Sequence, residues 1–392
     1  MNHYLKRTWA NINLDYLHDN IKAIQQKLSP STKIMAVVKA DGYGHGDHYI
    51  SNALALDGID FFAVSNLDEA LSLRHAGITS DILILGFTPA QSASMLAEQK
   101  ISQTVFSKQY AEELSEYCKQ NNCEVNVHIK LDTGMGRIGF IENDSIDATN
   151  EVKALLALEG LCFKGIFTHL SSADSLDDDS IAYTKQQIGR FNRVVDTLKK
   201  QGITFECVHL QNSAGIAFVP DLKYTHARAG IVMYGAAPSN EELDFDVKPV
   251  MELKSVISMV KEVEIGTAIS YNRRFVSEKK IKVATVPIGY ADGYPRLLSN
   301  KGEMLVNGKR APIIGNVCMD QLMLDVTEID DVHEGNIVTV VGVDGDEQIT
   351  FAELANKIGT ISYELMCLIG RRVPRVYIKN GKTIDVVDYI AK

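Results

Sequence analysis

Residues 34–46 read IMAVVKADGYGHG: five apolar positions, a lysine at 39, then seven residues that include three glycines. The apolar run reads as a strand, and the turn after it opens on Lys39. Seven more runs of this kind follow, at 61–64, 82–85, 102–105, 125–131, 163–167, 205–210 and 227–234. The segments between them read as helices. Leu14, Leu17, Ile21, Ile24 and Leu28 keep a helical period ahead of the first strand, and Phe191, Val194, Val195 and Leu198 keep it ahead of the seventh. Eight strands alternating with helices imply parallel strands joined by crossovers. The natural closure is an α/β fold of the TIM-like (β/α)8 barrel type. An open, doubly wound sheet is the alternative, because a repeat count does not prove closure.

The pattern changes after Pro249. Runs at 256–260, 281–287, 303–306 and 337–343 are separated by turns rich in Gly and Asn, and Asn307-Gly308 signals a tight hairpin. A helix is expected at 350–358. This part reads as a smaller, mainly β domain. The expected division is 1–245 for the barrel and 246–392 for the β domain, with residues 1–12 able to pack against the latter.

Length and charge narrow the function. A chain of 392 residues suits two domains. A formal charge of -10 argues against nucleic acid or an anionic membrane as partner. No uncharged apolar stretch approaches the roughly 20 residues that span a bilayer. Lys6 and Arg7 precede no apolar run, so no targeting peptide is expected. The six cysteines form no CxxC pair, which suggests reduced thiols in a cytoplasmic protein.

Barrels of this kind place their chemistry at the C-terminal strand ends. There the first strand offers Lys39, a candidate Schiff-base nucleophile or a solvated lysine. His45 and His48 lack nearby ligands at metal spacing, so no metal is expected. The fifth strand leads into Asp132-Thr133-Gly134. That triplet also marks aspartic proteases, which need two such carboxylates, and the chain has one. The sixth strand ends at His169, an acid–base candidate or a wall residue. Asn212-Ser213 after the seventh could simply cap a helix, yet barrels often hold a phosphate between the seventh and eighth loops. Arg228-Ala229-Gly230-Ile231 supplies more backbone there. A lysine on strand one beside an anion site suits a ligand with an aldehyde and a phosphate, which is pyridoxal phosphate (PLP).

Residues 37–46 resemble the PLP-lysine signature of alanine racemases. The resemblance extends to 132–139, 169–174, 212–213, 227–234, 266–271, 289–294, 315–320 and 361–364, in order and across both domains. It implies a PLP barrel plus a β domain, a head-to-tail homodimer sharing its active sites, and alanine as substrate. Lys39 would hold PLP covalently. Tyr43, Ser213, Gly230, Ile231 and Tyr363 would grip the phosphate, with Asn212 beside them. Arg228 would face the pyridine nitrogen. Tyr271 of the partner subunit would be the second base, with His169 in support. Arg137 and the Met319 backbone N–H would hold the substrate carboxylate. Asp174, Arg296, Arg310, Asp320 and Ile361 would line or support the entrance, and Lys130 matches a position carbamylated in some members. Without the resemblance, Tyr271 would pass for a surface tyrosine and Cys318-Met319-Asp320 for core plus a turn.

Racemisation needs a base on each face of the α-carbon. Lys39 and Tyr271 have reference pKa values of about 10.4 and 10, so each must be lowered to act near neutrality. The product D-alanine would serve peptidoglycan. Rivals are a broad-specificity amino-acid racemase and a PLP-dependent decarboxylase of the same plan. The latter would place a carboxylate at the pyridine nitrogen, where this chain offers Arg228. A single-domain PLP-binding protein would lack the β domain.

Overall fold

A computed structural model describes residues 6–219 and 222–390; residues 1–5 of the N-terminal segment lie outside it. The first helix, Leu14–Lys27, begins where the Asn13 side chain accepts the N–H groups of Asp15 and Tyr16. It buries the stripe Leu14, Leu17, Ile21 and Ile24.

Eight strands follow: β1 Lys33–Val37, β2 Phe61–Val64, β3 Asp81–Ile84, β4 Ile101–Val105, β5 Val125–Asp132, β6 Leu161–Phe167, β7 Cys207–His209 and β8 His226–Ala229. Each pairs in parallel with the next, and β8 pairs back onto β1. The ring is closed, so the barrel expectation holds and the open sheet is excluded. β8 is shorter than expected: residues 231–234 form a 3-10 turn, Ile231–Tyr234, and all four are buried. Apolar periodicity could not separate that turn from a strand. Likewise the run 205–210 contains only Cys207–His209 as strand.

The β-rich part starts at Met251–Val256, which pairs antiparallel with Thr8–Asn13. That N-terminal strand also pairs parallel with Arg375–Lys379, so both chain ends join one sheet. Glu303–Val306 and Lys309–Pro312 form the hairpin expected at Asn307-Gly308, with φ of 50° and 73° at the two turn residues. The run 256–260 straddles two strands, Met251–Val256 and Met259–Val263, which belong to different sheets. The expected helix is Phe351–Ile358, capped by Thr350. All six cysteines are free. Among the described residues, no helix is long and apolar enough to cross a membrane.

Beyond β1 the chain makes a left-handed turn, Lys39–Gly44, with φ of 53–58° at Ala40, Asp41, Gly42 and Tyr43. For the three non-glycines this conformation costs about 1–2 kcal/mol each. The surroundings hold it. Glu69 accepts the Ala40 N–H at 2.8 Å, Asp41 accepts the Asp47 N–H at 3.0 Å, and buried Arg375 donates to the Gly44 carbonyl at 2.9 Å. At Gly44, φ is +79° and an added Cβ would lie 2.4 Å from the Met366 carbonyl oxygen. The turn therefore touches the backbone of the C-terminal helix Ser362–Leu368, which carries Tyr363. Gly44→Ala is expected to cost about 2 kcal/mol or more, through both conformation and contact. Gly58→Ala, at φ +89° with open space around it, meets only the conformational cost. Equal shifts of the two denaturation midpoints would contradict this account of the turn.

Candidate active site

A cavity of about 730 Å³ lies at the C-terminal ends of the barrel strands. It brings together Lys39, Tyr43, Lys130, Arg137, His169, Asn212, Ser213, Arg228, Gly230, Ile361 and Tyr363. At one end, Ser213 Oγ accepts the Gly230 N–H at 3.0 Å, and Asn212 caps the short helix Ser213–Phe218 through the Gly215 N–H. A Cβ on Gly230 would come within 2.9 Å of Tyr43 Oη. Glycine thus keeps open a cradle walled by Tyr43 and Ser213. Burial raises the pKa of both Tyr43 and Tyr363, which keeps their hydroxyls protonated and able to donate.

Arg228 forms the floor and is 2% exposed. Its terminal nitrogens donate to His209 Nδ1 at 2.7 Å, the Thr168 carbonyl at 2.8 Å, the Leu210 carbonyl at 3.0 Å and His169 Nδ1 at 3.3 Å. Among the described residues, none of these acceptors is a carboxylate. Burial pushes the guanidinium pKa down to about 9, so it stays charged at neutral pH. Lys130 is buried too, donates to the Leu131 carbonyl at 2.6 Å, and is pushed down to about 7 by burial. Burial first, and Arg137 second, lower Lys39. Burial and then Arg228 hold His169 well below the usual histidine range, so it is neutral.

Four cationic side chains with several hydroxyl donors thus face one cavity. The carboxylate that lines the cavity, Glu364, accepts the Thr360 hydroxyl, and two others nearby are also engaged: Asp132 accepts the Gly134 and Gly136 N–H groups, and Glu69 accepts those of Ala40 and Ser65. Burial raises Asp132, but those backbone N–H groups outweigh it and leave the carboxylate ionised. The Asp-Thr-Gly triplet therefore shapes a loop. The donor set fits an anionic ligand with a carbonyl for Lys39 and a phosphate for the Tyr43–Ser213–Gly230 cradle, as PLP requires.

Other expected residues lie elsewhere in the chain. Tyr271 is 70% exposed and lines a separate cavity of about 510 Å³ with Cys318. It opens a 3-10 turn held by Asn316, which donates to the Tyr271 carbonyl at 2.7 Å. Met319 is exposed, and Asp320 pairs with Arg372 at 2.8 Å. Arg310 is bound to Glu303, Glu347 and Glu353, and Arg296 begins a short 3-10 turn. Asp174 is exposed but close enough to raise the Tyr363 pKa. Ile231 is fully buried, so only its backbone can serve a ligand. His45 is buried against Tyr234, and His48 bonds Ser72 on the surface. Asp177, from the acidic run at 177–179, caps the long helix Asp178–Lys200.

Sequence reasoning missed Glu69, Cys367 and His209. Glu69 braces the left-handed turn, and Cys367 lines the cavity. A helical glutamate and a lone thiol carry no local signal. His209 sits at a strand end as His169 does, and position alone could have singled it out.

The Lys130 shift has a sign that can be checked. Its folded pKa lies below the unfolded value, so burial of the charge penalises the fold fully below about pH 7 and is relieved as pH rises toward about 10.5. Lys130→Met should therefore be more stable than the parent at pH 7, with the gap closing at higher pH. A pH-independent gap in urea midpoints would rule out a buried, depressed lysine.

The residues at 12–238 match the family described as Alanine racemase, N-terminal domain, and those at 250–377 match Alanine racemase, C-terminal domain. A curated alanine racemase of Clostridium novyi is 42% identical over 390 residues, 99% of each chain. The solved alanine racemase of Bacillus anthracis with bound L-Ala-P aligns with TM-score 0.91 at 36% identity, over 99% of both chains. A histidine racemase of Leuconostoc mesenteroides is 27% identical with TM-score 0.86, over 96% of this chain and 100% of the other. Two consecutive family matches and full-length identity of this order establish that the chain belongs to the alanine racemase family.

Proposed function

We propose that the chain interconverts L- and D-alanine, with PLP on Lys39 and with Tyr271 of the partner subunit completing the site of a homodimer. The observation that carries this reading is the placement of Lys39 in a cavity lined mostly by basic side chains and hydroxyls, with a buried arginine that has no carboxylate partner among the described residues. When bound, PLP acts as the electron sink that makes the α-proton removable.

The chain's own residues do the rest. Tyr43, Ser213, Tyr363 and the backbone at Gly230 and Ile231 would hold the phosphate, with Asn212 fixing the helix start. Arg137 and the Met319 backbone N–H orient the substrate carboxylate. The Lys39 amine, its pKa lowered by burial and Arg137, takes or returns the proton on one face. The Tyr271 phenol does so on the other, supported by neutral His169. Arg228 can only donate, so facing the pyridine nitrogen it would favour the unprotonated form and a weaker sink. That suits proton exchange and disfavours the decarboxylase plan. Asp174, Ile361 and, from the second copy, Arg296, Arg310 and Asp320 would surround the entrance. Lys130 would serve as a cation or as a carbamate. We place the enzyme in the cytoplasm, in keeping with six free thiols, with D-alanine supplied to peptidoglycan.

The exposure of Tyr271 and its place in a cavity separate from that of Lys39 favour donation across a dimer interface. The holoenzyme should bring either pure enantiomer of alanine to an equal mixture, and should act on histidine far more slowly. Absence of alanine turnover in both directions would end this reading. Tyr271→Phe should lower turnover by roughly 10²–10⁴ while PLP stays bound. Mixed dimers of Lys39→Ala and Tyr271→Phe chains should regain activity at the one intact site. Inactive, verified heterodimers would place the second base in the same chain as Lys39.

A further inference from the structure

Beneath Arg228 the barrel interior holds a second buried histidine in line with the first. Arg228 donates to His209 Nδ1 at 2.7 Å, and His209 Nε2 lies 3.1 Å from His128 Nδ1. His128 and His209 are essentially inaccessible. Burial holds His209 well below the usual histidine range and His128 down to about 3, so both are neutral. A guanidinium has no lone pair to offer, so His209 Nδ1 must be unprotonated. The single proton of neutral His209 then sits on Nε2 and is donated to His128 Nδ1. The other tautomer would set two N–H donors face to face at Arg228.

The fold is shaped around the His128 ring. The β5–β6 register slips between Val127 and His128, which brings Gly165 opposite His128. An added Cβ at Gly165 would lie 2.3 Å from His128 Nδ1. A bulge and a glycine thus clear the space that the imidazole fills, and Phe61 meets its ring edge-on at 5.7 Å. Below His209, Phe167 stacks at 4.6 Å, which leaves the ring little freedom to rotate.

We propose that His128 is a positioning residue for racemisation: it accepts the Nε2 proton that Arg228 imposes on His209 and so fixes the orientation of that ring, which in turn holds the Arg228 guanidinium in place in the Lys39 cavity. Cys207 brings its sulfur within 4.8 Å of the ligand nitrogens of both histidines. A cation placed among the three would oppose Arg228 and displace the proton that orders the chain. The hydrogen-bond relay is therefore the use the charges favour. The inference rests on the proposed role of Arg228, but its first test does not.

That first test is nitrogen NMR of the holoenzyme labelled with ¹⁵N-histidine, with His209 assigned by substitution. Protonation of His209 at Nε2 is expected, and protonation at Nδ1 would overturn the proposal whatever the enzyme's activity. The second compares His128→Leu with His128→Asn, whose side-chain oxygen can stand where Nδ1 stood. His128→Leu should lose about tenfold in kcat, equivalent to about 1.4 kcal/mol, with KM and PLP content little changed. His128→Asn should recover most of that loss. Equal losses in both variants would mean that ring packing matters and the acceptor does not. Parent-level kcat in His128→Leu would refute the proposal outright. If His128→Leu does not fold, the His128→Asn kinetics and the parent tautomer still decide the matter.

Discussion

The active-site cavity depends on burying the Arg228 guanidinium with no carboxylate partner among the described residues. Removing a charge from water is costly unless hydrogen bonds replace the lost solvation. Arg228 meets that demand with the carbonyls of Thr168 and Leu210 and the imidazole of His209, all near the ends of β6 and β7. The face of Phe167 lies 5.3 Å from the guanidinium carbon and supplies a further, weaker attraction. These partners satisfy the donors but leave the charge uncancelled. With Lys39, Lys130 and Arg137 around the same cavity, an anionic ligand is what the field calls for.

The second constraint is the left-handed turn after β1. It aims Lys39 into the cavity and buries Tyr43 with its ring near those of Tyr234 and Tyr363. Its conformational cost is met by contacts from distant parts of the chain. Glu69 comes from the barrel, and Arg375 and the Met366 carbonyl come from the C-terminal region. Arg375 is itself buried and also donates to the carbonyls of Ile369, Gly370 and Val373. The β domain therefore helps to hold the lysine-bearing turn of the barrel. Strain of this kind persists only where the surroundings over-determine it, which is typical of functional sites.

Much of this was legible in the sequence, for reasons that can be named. Barrel strands are buried on both faces, so 34–38, 61–64 and 82–85 stand out as apolar runs. The run at 227–234 misled because Ile231–Tyr234 is buried as a 3-10 turn, and burial hides the period. Lys39, Ser213 and the stretch from Arg228 to Ile231 were found because strand ends carry the chemistry of a barrel, and Tyr43 through family resemblance. Tyr271 was found through family resemblance, since nothing local distinguishes it from an exposed strand-end tyrosine. Glu69, His128 and His209 act through tertiary contacts: a carboxylate on backbone N–H groups, and two imidazoles joined across the barrel. No spacing in the chain encodes those meetings.

Everything in the account converges on the nitrogen of Lys39 as the point where the cofactor is held. The most direct measurement is borohydride reduction of the PLP-loaded protein, followed by proteolysis and mass mapping of the pyridoxyl group. The account predicts one modified lysine per chain, at Lys39, and none in a Lys39→Ala chain treated the same way. Stoichiometric modification at Lys130 or any other lysine, with Lys39 left free, would contradict it.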